Sequence, residues 1–406
     1  MDPVSLSKLR TWLTEAGLAG ESETALLDGF CRRALAAGLP IARAAILIDT
    51  LHPVHEGRAF FWRREAGQMQ TELVEYGPTS EGEAAENWRR SVLFHLLQTG
   101  GSLFRVRFHA GETADFPTIA QMRDDGMSDV AAMITRFPRS GAIGEMDSLY
   151  SYWATDHPHG FDDAHVEAIA GLMPMLALAA KCVSLGRIVG TLVETYLGRD
   201  AGRQVLKGLI RRGVADKISA VLWYSDLREF TRITDQSPPE QIIPLLDDYA
   251  EAVISAVYDN GGDVLKLIGD GTLAIFTAAA AEDACRSAIA AHNVLQERVA
   301  QLNQRRTGDS LPTTHVYVGL HIGEVFYGNI GSDERLDFTV VGPAVNEVAR
   351  IAVMCRSAER NVLLSRAFAD AMAGSERGRL VSVGRYALRG IERPQELFTL
   401  DPLWTV

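Results

Sequence analysis

Apolar residues recur at helical spacing from the start of the chain: Leu6, Leu9 and Leu13, then Leu26, Leu27, Phe30 and Leu35. That repeat lays one apolar face along a helix, so residues 1 to about 38 read as helix, broken at Gly17–Glu21. Shorter apolar runs bounded by polar residues follow. Ala44–Leu51, Gly57–Arg63, Ser102–His109 and Asp147–Ala154 read as strands, and Trp88–Thr99 as a helix. Asp162 stands where it can cap a long helix whose Val166, Ile169, Leu172 and Leu176 share a face. The helical pattern continues to about Tyr196, although Pro174, Gly186 and Gly190 should weaken or bend it. A second segment covers Ala201–Arg211. Long apolar helices leaving a domain tend to pair with a copy of themselves or to cap their own domain, and parallel pairing is slightly favoured here. Strands enclosed by flanking helices predict an α+β sensor fold for this half.

The second half is patterned differently. Ala220–Tyr224 reads as a buried strand, and Asp263–Ile268 with Thr272–Phe276 as a hairpin over Gly269-Asp270-Gly271, where Asp-Gly supplies positive φ. Ser237-Pro238-Pro239-Glu240 reads as a capping box ahead of Ile242, Leu245, Leu246, Tyr249, Val253 and Val257, with Pro244 an irregularity in the first turns. Glu282–Leu302 is the next predicted helix. Thr314–Ile322 and Val325–Ile330 read as two strands around Gly323-Glu324, Leu336–Val341 as another, and Pro343 opens a helix to about Arg356. This order of helices and hairpins predicts a ferredoxin-like α+β core with its helices on one side.

Composition narrows the class. A chain of 406 residues has room for two or three domains, and 47% apolar with 23% charged residues suits a soluble globular protein. A formal charge of −12, with no basic strip interleaved with aromatics, argues against a nucleic-acid partner. Cys31, Cys182, Cys285 and Cys355 lie far apart in apolar helical patterns and read as reduced core thiols. No apolar signal region opens the sequence, and the longest apolar run, Ala168–Ala180, is too short to span a bilayer. A cytoplasmic protein is expected. His52 with His55, and His157 with His159, sit beside prolines and read first as surface-loop residues, with a small-molecule pocket or a metal or haem site as alternatives.

Candidate chemistry lies in the second half. Asp226 closes one strand and Asp270 occupies the hairpin turn. As neighbours in one sheet they would face each other and hold two divalent cations, Mg²⁺ or Mn²⁺, through oxygen alone. Both residues also suit plain turn roles. Asn346 and Arg350, four apart, share a helix face and could bind an anionic centre, or simply be solvated there.

Resemblance separates these readings. Tyr224-Ser225-Asp226-Leu227-Arg228-Glu229-Phe230-Thr231 resembles the F-x-D-I-x-x-F-T stretch of class III nucleotidyl cyclases, and Lys266-Leu267-Ile268-Gly269-Asp270 their K-x-x-G-D stretch. Leu336 to Arg350 resembles a third family motif, with Pro343-Ala344-Val345-Asn346 where D-T-V-N is common. The likeness runs from about Lys217 to Leu400. It implies a metal set of Asp226, Leu227 and Asp270, and catalytic roles for Asn346 and Arg350. Lys266, Thr339, Phe230, Thr231 and Arg389 would bind substrate. Lys266 stands where adenylyl cyclases carry Lys and guanylyl cyclases Glu, which implies ATP, a 3′,5′-cyclic AMP product and a homodimer that shares its sites. Tyr152 to Asp163, ahead of a long helix, resembles the end of a GAF-type domain, a sensor for an unidentified small molecule. The expected plan is a GAF-like domain over residues 1–185, a helical linker over 186–216 and a catalytic domain over 217–406. A guanylate cyclase or an inactive nucleotide-binding module are the alternatives. A diguanylate cyclase, suggested by Gly261-Gly262-Asp263, fails its signature at Val264-Leu265.

Overall fold

The computed structural model describes residues 3–65, 68–138, 144, 146–372, 377–391 and 393–401, and divides into two compact units, Met1–Leu192 and Val193–Val406.

The first unit is built on one antiparallel sheet. Its strands are β1 (Arg43–Asp49), β2 (Gly57–Glu65), β3 (Gln68–Tyr76), β4 (Leu103–Arg107), β5 (Asp129–Arg136) and β6 (Ser148–Thr155), in the order β3-β2-β1-β6-β5-β4. Side chains alternate between its two faces, as strand geometry requires. Ile46, Ile48, Leu149 and Trp153 join the core under α1 (Pro3–Ala19), α2 (Glu23–Ala36) and α6 (Asp163–Leu197). Ala45, Tyr150 and Tyr152 face the other way, toward α3 (Gly82–Arg89), α4 (Val92–Thr99) and α5 (Pro117–Asp124). Covered on both sides, β6 is buried at every position. The α+β expectation therefore holds, while the single helix expected over Trp88–Thr99 is two. Ser91 interrupts it and accepts from Phe94 N–H at 3.1 Å, capping α4.

Asp162 caps α6 as expected, accepting from His165 N–H at 2.7 Å. Among the described residues α6 alone is long and apolar enough to cross a membrane, and 44% of its most apolar window is buried within the protein. It passes Pro174 without ending. One polar cluster fixes it to the unit: Glu23 on α2, wholly buried, accepts from Ser184 Oγ at 3.0 Å and pairs with Arg187, with Arg58 on β2 at 3.8 Å. Cys182 is exposed on α6, whereas Cys31, Cys285 and Cys355 are buried thiols.

The second unit begins with α7 (Arg199–Leu206), then runs β7 (Ala215–Leu227), α8 (Phe230–Gln236), α9 (Ile242–Asp259), β8 (Gly262–Ile268), β9 (Gly271–Phe276), α10 (Ala281–Gly308) and β10 (Val316–Gly331). β7, β8, β9 and β10 stand in the sheet order β10-β7-β9-β8, the β-α-β-β-α-β arrangement of a ferredoxin-like core. β11 (Leu336–Val341) pairs with the end of β10, and α11 (Pro343–Ala358) follows. The sheet then extends through β12 (Val362–Ser365), β14 (Gln395–Leu400) and β13 (Leu380–Tyr386), with α12 (Arg366–Ala371) between β12 and β13.

Three expectations give way here. The strands expected either side of Gly323-Glu324 are one continuous β10, because β7 pairs with it unbroken from Leu227 to Ala215. The capping box at Ser237 does not form: Pro239–Gln241 is a short 3₁₀ turn, and α9 begins at Ile242 without a side-chain cap. The helices are not one-sided either. α9 and α10 pack on Val221, Trp223 and Phe276, while Ala344 and Val348 of α11 cover Ala220, Leu222 and Ile275 on the opposite face.

The buried Glu23 cluster sets a measurable stability. Glu23→Ala leaves Arg187 and Ser184 without their shared acceptor, and breaking such a buried pair costs about 3 kcal/mol. Urea unfolding followed by tryptophan fluorescence should show that loss in the first transition. A change below about 1 kcal/mol would mean that the cluster adds little to the unit.

Candidate active site

β7 and β9 pair through Ser225 and Thr272, and β8 meets β9 at Ile268 and Gly271. Gly269 and Asp270 are left as a two-residue turn. Gly269, at φ +63°, carries the positive φ that the sequence reading gave to Asp270-Gly271. A glycine at the first turn position is the Gly-X form of a tight hairpin, and it frees Asp270 from any need to adopt a left-handed backbone. Gly271 matters by its size: a Cβ there would stand 3.0 Å from both Ser225 O and Tyr224 Oη.

This register brings Asp226 and Asp270 together, one step beyond the last β7–β9 pair. Their carboxyls lie within hydrogen-bonding reach. Burial first, then the hydrogen bond and charge of Asp270, push the Asp226 carboxyl up to about 7, against a smaller opposing effect of the Leu227 N–H. Tyr224 beside them is raised by burial and by both carboxylates. An all-oxygen pair that resists its own ionisation suits a divalent cation, which would replace the shared proton. Phe230 and Thr231 follow in the first turn of α8. Phe230 packs against the core, Thr231 is exposed, and Glu229 before them turns the chain at φ +56°.

Lys266 on β8 forms an ion pair with Asp337 on β11, both side chains nearly half exposed. Thr339, two residues on, shares that strand face with Asp337. Asp337 escaped the sequence reading. Its signal was the two-residue spacing from Thr339.

Asn346 and Arg350 line one cleft of about 620 Å³ at the start of α11, bounded by Val340–Pro343 and by Gly390. Gly390, at φ +73°, lets the Arg350 guanidinium close in, since a Cβ there would stand 3.3 Å from its Nη2. Glu347 also lines this cleft and was missed in the sequence. Burial raises its carboxyl, and Arg350 partly offsets that. His321 Nε2 lies 3.8 Å from Glu347, but burial lowers the imidazole to about 4, so it is neutral at neutral pH. Arg389 is exposed, and its neighbours Gly390 and Ile391, rather than Arg389, line the cleft. Among the described residues no hydrogen bond or ion pair joins Asp226 and Asp270 to Asn346 and Arg350.

These clusters fall inside a recognised domain. Residues 214–401 match the family described as Adenylate and Guanylate cyclase catalytic domain, a little under half of the chain. An uncharacterized protein of Mycobacterium tuberculosis, Rv1318c, is 31% identical over 214 residues, 50% of this chain and 37% of its own length. The adenylate cyclase of Anabaena cylindrica is 31% identical over 160 residues, 38% of this chain and 31% of that protein. The chain thus spans about a third of the length of these curated relatives. The crystal structure of the adenylyl cyclase CyaB from P. aeruginosa is similar over 46% of this chain and 95% of its own, at 22% identity and a TM-score of 0.42. The matched residues lie within the C-terminal unit.

Divalent-cation binding at Asp226 would depend on pH. Its folded-state carboxyl titrates above the ordinary aspartate value, so in metal-free protein ionising it costs stability as pH rises from about 4 to 7. A divalent cation relieves that cost only where the proton has left. Mn²⁺ should therefore raise the melting temperature more at pH 8 than at pH 5, and Asp226→Asn should remove the difference. An equal shift at both pH values in the unaltered protein would refute the assignment.

Proposed function

We propose that the chain is an adenylate cyclase, converting ATP to 3′,5′-cyclic AMP and pyrophosphate at sites shared across a homodimer. The observation that carries this reading is the Asp226–Asp270 carboxylate pair, set at the ends of adjacent strands beside the first turn of α8. Asp226, Asp270 and the Leu227 backbone would hold two Mg²⁺ or Mn²⁺ ions, whose chemistry is to acidify the ribose 3′-hydroxyl and neutralise the triphosphate. The 3′-oxygen attacks the α-phosphorus as its proton leaves, and the bond from that phosphorus to the bridging oxygen of pyrophosphate breaks. Arg350 offers a fixed charged fork to the α-phosphoryl oxygens, and Asn346 orients the ribose. Phe230 and Thr231 border the triphosphate, and Arg389 reaches its terminal phosphates. Positioning and electrostatics supply the acceleration.

Lys266 and Thr339 favour ATP over GTP. An ammonium donates to adenine N1, an acceptor, but meets a like donor at guanine N1–H, and a hydroxyl at Thr339 accepts from the adenine amino group. Asp337 positions Lys266 for that task.

Assembly as a homodimer is supported along α6. Leu178, Cys182, Leu185, Val189, Leu192 and Tyr196 recur at alternating four- and three-residue steps, and Leu178, Val189 and Tyr196 are exposed. That spacing is the seam of a two-stranded coiled coil. The N-terminal domain, residues 1–185, is read as a GAF-like regulator in the cytoplasm, joined by the linker 186–216 to the catalytic domain 217–406. Its support is the six-stranded antiparallel sheet with helices on both faces.

Purified protein incubated with Mn²⁺ and ATP or GTP should yield cyclic AMP in clear excess over cyclic GMP. Asp226→Ala and Asp270→Ala should each abolish the product without loss of fold. Predominant cyclic GMP would sink the base-reading assignment, and an active Asp226→Ala the metal assignment.

Sharing of the site has its own test. Asp226→Ala and Arg350→Ala, each inactive alone, are mixed under subunit exchange. Random pairing makes about half the dimers mixed, each with one intact site of two, so about one quarter of full activity should return. Mixtures that contain heterodimers yet stay inactive would confine both motif sets to one protomer.

A further inference from the structure

Between the Tyr150–Tyr152 face of the N-terminal sheet and helices α3, α4 and α5 lies a cavity of about 1260 Å³. Leu47, Leu93, Leu97 and Met122 give it aliphatic walls, and Phe61, Trp88, Tyr150 and Tyr152 give it rings. Trp88 and Tyr150 stand nearly at right angles, with ring centroids 5.6 Å apart and planes at 80°. His52 and His55 stack at its exposed edge with ring centroids 4.7 Å apart, so they are pocket residues rather than plain loop residues.

The polar groups around this space are largely engaged with one another. Glu56 accepts from both the N–H and the hydroxyl of Thr79, and Asp49 accepts from Tyr76 Oη at 3.0 Å. Ser91 accepts from Phe94 N–H, and His52 Nδ1 from the N–H groups of Val54 and His55 at 3.1 and 3.3 Å. Asp147 keeps Oδ1 buried inside the protein, away from the cavity. Burial, then the charges of Asp49 and Asp147, keep the Tyr150 hydroxyl protonated. Burial does the same for Tyr152, against a hydrogen bond with Thr118. Among the described residues no Lys or Arg lines the cavity.

We propose that this cavity binds an uncharged aromatic molecule, a fused-ring body whose only polar groups are hydroxyls or carbonyls. The rings and aliphatic walls recover the apolar surface that such a body hides from water, and ring edges and faces favour a flat partner. The two protonated tyrosine hydroxyls can meet a hydroxyl or carbonyl on it. A charge entering the same space gives up its hydration and needs a free counter-charge in return. An anion would meet carboxylates, with no described Lys or Arg to offset them, so ATP and cyclic AMP are poor occupants. A cation would have to take Glu56 from Thr79 or Asp49 from Tyr76, and its attraction across the water at the cavity mouth is screened.

Three probes with one ring system separate charge from shape: 2-naphthylmethanol, 2-naphthoate and 2-naphthylmethylammonium. Calorimetric titration into the full chain should give the alcohol at least about tenfold tighter than the carboxylate and tighter than the ammonium, with cyclic AMP weaker still. Ala84 lines the cavity from the exposed side of α3, so Ala84→Trp fills the space without disturbing the core. It should weaken the alcohol at least about fivefold. Trp88→Leu keeps an apolar side chain but removes the ring, and should weaken it at least about threefold. Circular dichroism checks that both variants fold. Undetectable binding of the alcohol up to about 1 mM overturns the proposal, as does tighter binding of the carboxylate, the ammonium or cyclic AMP. An alcohol affinity unchanged in either folded variant overturns it as well. The readout is binding without nucleotide turnover, so failure here leaves the catalytic reading standing.

Discussion

Two carboxylates pressed together oppose their own ionisation, and the second unit is arranged to hold them so. The register of β7 against β9 delivers Asp226 to the point where the β8–β9 turn presents Asp270. Gly269 takes the left-handed turn position, and Gly271 keeps a Cβ out of the space beside Ser225 O and Tyr224 Oη. Behind them, Val221 and Trp223 anchor β7 from the opposite face under α9 and α10. A strand fixed from one side can hold an unfavourable group on the other, because slipping by one residue would turn the whole buried set outward. Burial that is a liability for a lone aspartate would, under the proposed reading, favour a doubly charged occupant.

How much of this was legible depended on whether a signal was local. Asp226, Asp270, Asn346 and Arg350 announced themselves through short motifs, and strands such as Ala220–Tyr224 through uninterrupted β-prone runs. β5 was missed because Asp129–Arg136 is alanine-rich in its middle, and its burial comes from helices on both faces rather than from its own propensity. β3 was missed for the opposite reason. It is an edge strand with much exposed polar sequence, and β2 is its only strand partner among the described residues. The turn at Gly269 was misread by one position, since Gly-Asp-Gly offers two ways to place a positive φ and only strand register decides. Glu347 and Asp337 lie within the third motif but were not singled out in it, and their neighbours come from α11, β8 and β11 folding together.

The N-terminal unit shows how buried charge can be arranged to two ends. Glu23 accepts from Ser184 and Arg187, and the cluster ties α2, β2 and α6 into one body, while Arg58 Nη1 and Arg187 Nε find no acceptor in it. On the far side of the same sheet Asp49, Glu56 and Asp147 stand beside a cavity. α6 packs on the Glu23 side of that sheet.

The Lys266–Asp337 pair has a consequence for how a base is admitted. In the chain alone the lysine is not waiting in an open slot; it already holds a carboxylate. An incoming purine would therefore enter by exchange, and its contact with Lys266 would be measured against the one it displaces. Partners that only match the carboxylate gain nothing, which raises the threshold for every competitor without distinguishing among them. Choice between bases would then rest with the lysine and the threonine, and stringency with the aspartate.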